Sequence, residues 1–164
     1  MLNSFKMQPQ AKENVVAKRK SLKTDPCPVA RALDVIGDRW SLLIVRDAFD
    51  GMRRFGEFQK SLGVARNILA DRLHTLVEEG IFSSEPASDG TAYQEYVLTE
   101  KGLGLFPIVV GLRQWSEDQL FEAGEAHSTL LERNSGTPVS TLQVLSPDGR
   151  VLQAGDTFVH KGLP

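Results

Sequence analysis

Arg54-Phe55-Gly56-Glu57-Phe58-Gln59-Lys60-Ser61-Leu62, a turn at Gly63, and then a run from Ala65 to Glu79 closed by Gly80 form the stretch that decides the fold. In its first part Phe55, Phe58 and Leu62 recur at helical spacing. In the second, Leu69, Leu73, Leu76 and Val77 make one apolar stripe, with Asn67, Asp71, His74 and Glu78 opposite it and Arg66 and Arg72 at its flanks. Gly63 and Gly80 stand where helices stop. The spacing predicts two short helices joined by a tight turn, the second over about residues 65–79.

Immediately downstream the period changes. Ile81 to Glu85 and Tyr93 to Leu98 read as strands, joined through Pro86 to Ala92 with an Asp89-Gly90 turn signal. Two helices across a tight turn, followed by a hairpin, make a helix-turn-helix with a wing, so the expected class is mainly α with a β-hairpin wing, an α+β winged helix. In such a unit the second helix is narrow enough for the DNA major groove and its N-terminal residues reach base edges. Arg53, Arg54, Lys60, Arg66 and Arg72 supply cations for phosphates, while Asn67 and His74 offer hydrogen-bonding groups to bases. Asp71 and Glu78 on the same face argue that the helix meets DNA by its N-terminal half.

Upstream, Asp25-Pro26-Cys27-Pro28 breaks the chain, and Val29, Leu33 and Ile36 then predict a short helix ending at Gly37. Asp38 can cap another helix, with Trp40, Leu43, Ile44 and Ala48 on its inner face and Arg46, Asp47 and Asp50 in water. After the hairpin, Thr99 can cap a helix interrupted at Pro107 that carries Leu105, Ile108, Val109, Leu112 and Trp115 on one face. Phe106, Val110, Leu120 and Phe121 add more apolar surface than one small domain hides, which implies a homodimer built on this helix with help from residues 10–36. From Leu130 onward the pattern suggests a small antiparallel hairpin turning at Pro147 to Gly149. The expected organisation is a flexible basic arm over 1–24, a DNA-binding and dimerisation domain over 25–123, and an extension over 124–164.

The chain has 164 residues, 41% hydrophobic and 24% charged, which suits one soluble globular domain and excludes fibrous or wholly disordered classes. Its longest mostly apolar stretch, Leu105 to Leu112, is too short to span a bilayer, and no secretory signal is evident, so a cytoplasmic location without membrane contact is expected. One cysteine allows neither an intrachain disulfide nor a multi-cysteine zinc site. No metal or other cofactor is expected. There is no phosphate-binding glycine loop, nucleophile elbow or acid–base constellation, so an enzyme is not expected.

The net charge of −2 hides a segregation. Residues 1–24 hold Lys6, Lys12, Lys18, Arg19, Lys20 and Lys23 against Glu13 alone. Arg53, Arg54, Lys60, Arg66 and Arg72 face only Glu57 and Asp71 within their own segment. A local basic patch, rather than the average, is what phosphate binding requires. The rival reading, a winged-helix module that offers the same groove helix to another protein, draws on the acidic hairpin and negative net charge.

Several separated motifs in order carry a family resemblance: Cys27-Pro28-Val29-Ala30-Arg31-Ala32-Leu33-Asp34-Val35-Ile36-Gly37-Asp38-Arg39-Trp40, Arg53-Arg54-Phe55, Leu69-Ala70-Asp71-Arg72-Leu73, Gly80-Ile81, and Glu95-Tyr96-Val97-Leu98-Thr99-Glu100-Lys101-Gly102. Over about residues 25–120 the chain resembles the HxlR-type winged-helix regulators. The resemblance implies a bacterial, MarR-like, homodimeric DNA-binding protein that controls nearby genes, as a repressor for example; a twofold dimer that sets two recognition helices in successive major grooves predicts a pseudo-palindromic operator. Some relatives respond to oxidants or electrophiles through a cysteine at the Cys27 position, which makes Cys27 a candidate redox sensor. Its place at a helix start favours a thiolate, and Asp25 opposes it. The family's basic residue before the Glu-Tyr of the second wing strand is replaced here by Gln94, after Tyr93, which leaves phosphate contact by the wing unsupported. Relatives with a C-terminal extension carry paired cysteines where Ser135-Gly136 and Asp148-Gly149 stand, so a metal-free hairpin is expected. Trp40 and Trp115 read as core, or as walls of a small-molecule effector pocket.

Overall fold

A computed structural model describes residues 21–162. The elements run α1 (Pro28–Ile36), α2 (Arg39–Phe49), α3 (Phe55–Leu62), α4 (Arg66–Glu78), β1 (Phe82–Pro86), β2 (Gln94–Leu98), α5 (Glu100–Leu103) and α6 (Phe106–Gln119), with a short 3-10 turn at Ala154–Asp156. The expected helix-turn-helix is α3–α4. Gly63 closes α3 with φ +59, a left-handed conformation that only glycine adopts without strain. The wing is an antiparallel pair in which Phe82 faces Leu98 and Pro86 faces Gln94.

The core joins Ile44 and Val45 of α2, Phe58 of α3, Leu69, Leu73 and Leu76 of α4, and Ile81 and Phe82 at the start of the wing. The Phe58 ring meets Phe82 and Tyr96 edge-on at 6.4 and 6.5 Å, fixing the wing to the helix-turn-helix. Residues 53 and 54 extend the sheet: Tyr96 N donates to Arg53 O at 2.8 Å, and Arg54 bridges Glu95. Gly102 packs so closely on the wing that a Cβ there would lie 2.3 Å from Ile81 O.

Some expectations need correction. Asp47 is buried, because α2 is surrounded by α1, α3, α4, α6 and β2 and has no wet side at that position. Its Oδ1 accepts from Arg46, and Oδ2 is the one buried side-chain atom without a hydrogen-bond partner among the described residues. Leu105 belongs to the chain's own core, because it caps the N-terminal end of α6 where that helix meets the wing and α5. Val29 and Leu33, by contrast, are exposed on α1. The C-terminal hairpin is reduced to two isolated bridges, Leu131 with Pro138 and Leu145 with Val151, turning through Gly136 and Gly149.

The basic arm expected over 1–24 lies largely outside the described residues, and so does the part of residues 10–20 in a dimer. Its last residues are held: Ser21 Oγ donates to Asp34 at 2.8 Å and Lys23 Nζ pairs with Glu79 at the end of α4.

Candidate nucleic-acid interface

The N-terminal turn of α4 stands clear of the core. Arg66 and Asn67 are the first two residues of the helix and both are exposed, as is Ala70 one turn on. Ala65 at the N-cap has no side-chain acceptor for the first-turn N–H groups, which leaves them available to an outside anion. Arg66 lays its guanidinium over the Phe55 ring, 5.3 Å from the centroid, so the side chain is oriented without being neutralised by a carboxylate. Beside it, a cleft of about 530 Å³ opens between α3, the start of α4 and β2, lined by Phe55, Gln59, Arg66, Tyr93 and Gln94 among others. Lys60, in the last turn of α3, is exposed.

The remaining cations are placed differently. Arg54 Nη2 pairs with Asp89 of the wing turn at 2.5 Å and reaches Glu95 at 3.4 Å. Arg53 approaches the same Glu95 at 3.9 Å. Glu95 is buried and also accepts from Ser88 Oγ at 3.1 Å, so this carboxylate is the knot that ties the wing to the entry of α3. The hydrogen bond from Arg54, helped by Thr91, holds the Asp89 carboxyl well below the usual carboxylate range. Arg72 bonds to Asp71 and lies 3.6 Å from Asp38, which caps α2 by accepting from Trp40 N at 2.8 Å and Ser41 N at 3.1 Å. Arg54 and Arg72 are thus each paired inside the chain, and Arg66 and Lys60 are the outward cations of the α3–α4 face.

His74 is exposed a turn further along α4, with Nε2 3.3 Å from Glu78. Glu57 turns back to accept from Arg53 N and Arg54 N at 2.8 and 2.9 Å, and those bonds lower its pKa, so it completes the cap of α3 rather than opposing a ligand. Helical periodicity does not find the pairings of Arg53 and Arg54 with Glu95, of Arg54 with Asp89 or of Arg72 with Asp38, because each joins residues distant in sequence.

Cys27 is exposed at the N-cap of α1, its N–H donating to Asp25 Oδ1 at 2.8 Å. On α6, Ile108, Leu112 and Trp115 are exposed, whereas Val109 is half-buried against the core. Trp40 is packed partly against the core, and neither tryptophan lines the groove of about 510 Å³ between α2, α6 and residues 126–128. No helix of the described residues is long and apolar enough to cross a membrane.

The HxlR-like helix-turn-helix family model matches residues 35–123, which runs from the end of α1 to just beyond α6. An HTH-type transcriptional regulator of Mycobacterium tuberculosis is 48% identical over 92 residues, covering 56% of this chain and 58% of that protein, so the match spans little more than half of the relative's length. Among solved structures, the candidate transcription factor PA1607 is 58% identical with a TM-score of 0.82, covering 86% of this chain and 99% of that one. The redox regulator HypR in its reduced form is 34% identical with a TM-score of 0.53, covering 57% and 94%. These are regulators and not enzymes, and the matched segment is the one that builds α2, the α3–α4 turn, the wing and α6. The chain is therefore a member of the HxlR-like helix-turn-helix family of winged-helix transcriptional regulators.

Proposed function

We propose that this protein is a cytoplasmic, sequence-specific DNA-binding regulator that acts as a homodimer on a pseudo-palindromic operator. The observation that carries this reading is the first turn of α4: an exposed Arg66 and Asn67, uncapped N–H groups, and no carboxylate on Arg66. Inserted in the major groove by that end, α4 brings Asn67 to base edges and Arg66 to the backbone, with Lys60 reaching a neighbouring phosphate. His74 and Glu78 remain beyond the groove. Arg54 and Arg72 act on DNA through position, the first by holding the wing over the cleft and the second by fixing α4 to the cap of α2.

Residues 25–123 form the binding and dimerising unit in this reading. Two copies joined through Ile108, Leu112 and Trp115 present their α4 helices to successive major grooves, about 34 Å apart. A dimer on an operator that overlaps a promoter represses by occupancy. The test is a mobility shift with DNA upstream of the protein's own and neighbouring genes, competed by unrelated duplex. A shifted band resistant to that competitor is expected, and Asn67→Ala should chiefly relax sequence preference. Equal competition by any duplex, or no shift, would leave the protein-interaction reading in its place.

Response to an oxidant or electrophile through Cys27 is supported by the exposure of the thiol and its place at a helix N-terminus. With one cysteine per chain, the products open to it are a bridge to Cys27 of a second copy or an adduct with a small thiol or electrophile. Treatment with diamide or a quinone should weaken the shift of the wild type and leave Cys27→Ser unaffected. An unchanged shift of treated wild type removes the sensor from the proposal.

A further inference from the structure

We infer that the groove between α2 and α6 binds a small carboxylic acid with an apolar body, and that Arg46 receives its carboxylate. The inference goes beyond DNA binding and does not depend on it. It starts from a costly arrangement in α2. Asp47 exposes only 2% of its surface, and its Oδ2 has no hydrogen-bond partner among the described residues. Burying a carboxylate with an idle oxygen lowers stability, so its presence calls for a role. The neighbouring side chain supplies one. Asp47 Oδ1 accepts from both Nε and Nη2 of Arg46, at 2.9 and 2.6 Å, which pins one edge of the guanidinium plane. Nη1 has no hydrogen-bond partner among the described residues. The Nη1–Nη2 edge is therefore left as a two-pronged donor, the fork that matches a carboxylate. Because the fork is already fixed, little side-chain freedom is lost when a ligand meets it.

Arg46 stands in the wall of the groove of about 510 Å³, beside Leu42 and Leu43 of α2, Val109 and Leu112 of α6, and Phe121. Space on this scale, mostly apolar with a fixed polar group, suits a small organic molecule. The other charged groups of the groove are engaged with one another. Glu117 Oε1 accepts from Arg113 Nη1 at 3.4 Å and lies 3.7 Å from His127 Nδ1, and Arg113 Nη1 also donates to Ser128 O at 2.7 Å. The His127 ring lies 5.0 Å from that of Phe121 and closes one end. This set of partners selects the ligand's charge. An amine would face Arg46 and find Glu117 taken; a neutral molecule would cover the open edge of Arg46 without satisfying it. A carboxylate satisfies it and lays its apolar body on the leucines. The site joins α2, which packs on α3 and α4, to α6, and Leu112 sets its mouth beside the dimer contact proposed above.

The test is isothermal titration calorimetry of the full chain with sodium octanoate and sodium benzoate, each set against its neutral amide, octanamide or benzamide. At least one acid should saturate a single site per chain, at least tenfold more tightly than its amide, and the preference between the two distinguishes a straight-chain from an aromatic body. Arg46→Gln should lower affinity for that acid at least tenfold and leave the amide unchanged. Arg46→Lys, which keeps the charge and lacks the fork, should also lose most of the affinity. Arg46 has 39% of its side chain in water, and circular dichroism checks that both variants fold. Acid and amide binding equally, full affinity for the acid in either variant, or no saturable binding of either acid overturns the assignment. No DNA enters the measurement, so failure here and failure of the operator shift are told apart.

Discussion

Arg66→Ala separates a phosphate-binding cation from the internally paired ones. Arg66 is the first residue of α4, rests on Phe55 and has no carboxylate partner, so its charge is delivered outward. One phosphate contact per protomer gives two per dimer, and each contributes about 0.9 to the slope of log K against log salt. The variant should therefore lose about 1.8 of slope, which at 0.15 M salt corresponds to about 30-fold in affinity, or about 2 kcal/mol. The loss should be nearly equal for operator and unrelated DNA, because backbone contacts position without reading sequence. Arg72→Ala is the control: its guanidinium is engaged by Asp71 and Asp38, so melting temperature should fall while the slope stays near wild type. The assay is fluorescence anisotropy of labelled duplex from 50 to 300 mM salt. A slope unchanged in Arg66→Ala, or an equal change in Arg72→Ala, refutes the division of cations.

Asp89→Asn removes the nearest carboxylate from Arg54 and should steepen the same slope by up to about 1.8 per dimer while raising affinity for unrelated DNA; an unaltered slope would mean that Arg54 faces away from the duplex. Asp38→Ala deletes the cap of α2 and the link to Arg72, costing about 1–2 kcal/mol together. Burial pushes the Asp38 carboxyl up, but the bonds from Ser41, Trp40 N and Ser41 N, with Arg72 nearby, bring it below its ordinary value. Its stabilisation is then present above the unfolded pKa of about 3.9 and fades as pH falls through the lower folded value. The gap in melting temperature between Asp38→Ala and wild type should close in strong acid, and a gap that widens there would reverse the sign argued here. Gly102→Ala forces a Cβ against Ile81 O and Leu98 Cδ2 and should cost about 1–3 kcal/mol or more by chemical denaturation, whereas Gly56→Ala, with open space around it, should be neutral or stabilising.

The α3–α4 turn and the wing were legible because their burial is one-sided. Phe58, Leu69, Leu73 and Leu76 face a single core, so apolar spacing reports the structure directly, and Gly63 and Gly80 mark breaks that the backbone needs with φ above zero. Position 47 escaped the same reasoning because several elements pack round α2 and cover it there, although the spacing placed it on the wet side. Leu105 and Leu112 shared a stripe on paper, yet the break at Leu105 that starts α6 turns the first into the core and leaves the second outside. The tail held strand-like residues without a partner strand, so its pattern promised a ladder that only two bridges realise. In the site, residue types at 66 and 67 were readable, whereas which arginines are free depended on Asp38, Asp89 and Glu95, each at least 34 residues away in sequence or in another element.

Those acidic partners also account for how a chain with net charge −2 can meet DNA. Asp89 and Glu95 would make the wing repel phosphate if they were free, but Arg54 and Arg53 lie against them. Glu57 faces the backbone N–H groups of the α3 cap, and Glu79 takes Lys23. Each pairing is local, so beyond about a Debye length it contributes little field, and the unpaired Arg66 and Lys60 dominate the near field of the α4 tip. The design has a cost in reach: with few free cations, steering from a distance is weak and the salt slope of the wild type should be shallow, about 3.6 for two protomers presenting two cations each. A measured slope of about 7 would require Arg54 and Arg72 to leave their carboxylates on binding, turning the wing clamp from a fixed brace into a latch that phosphate opens.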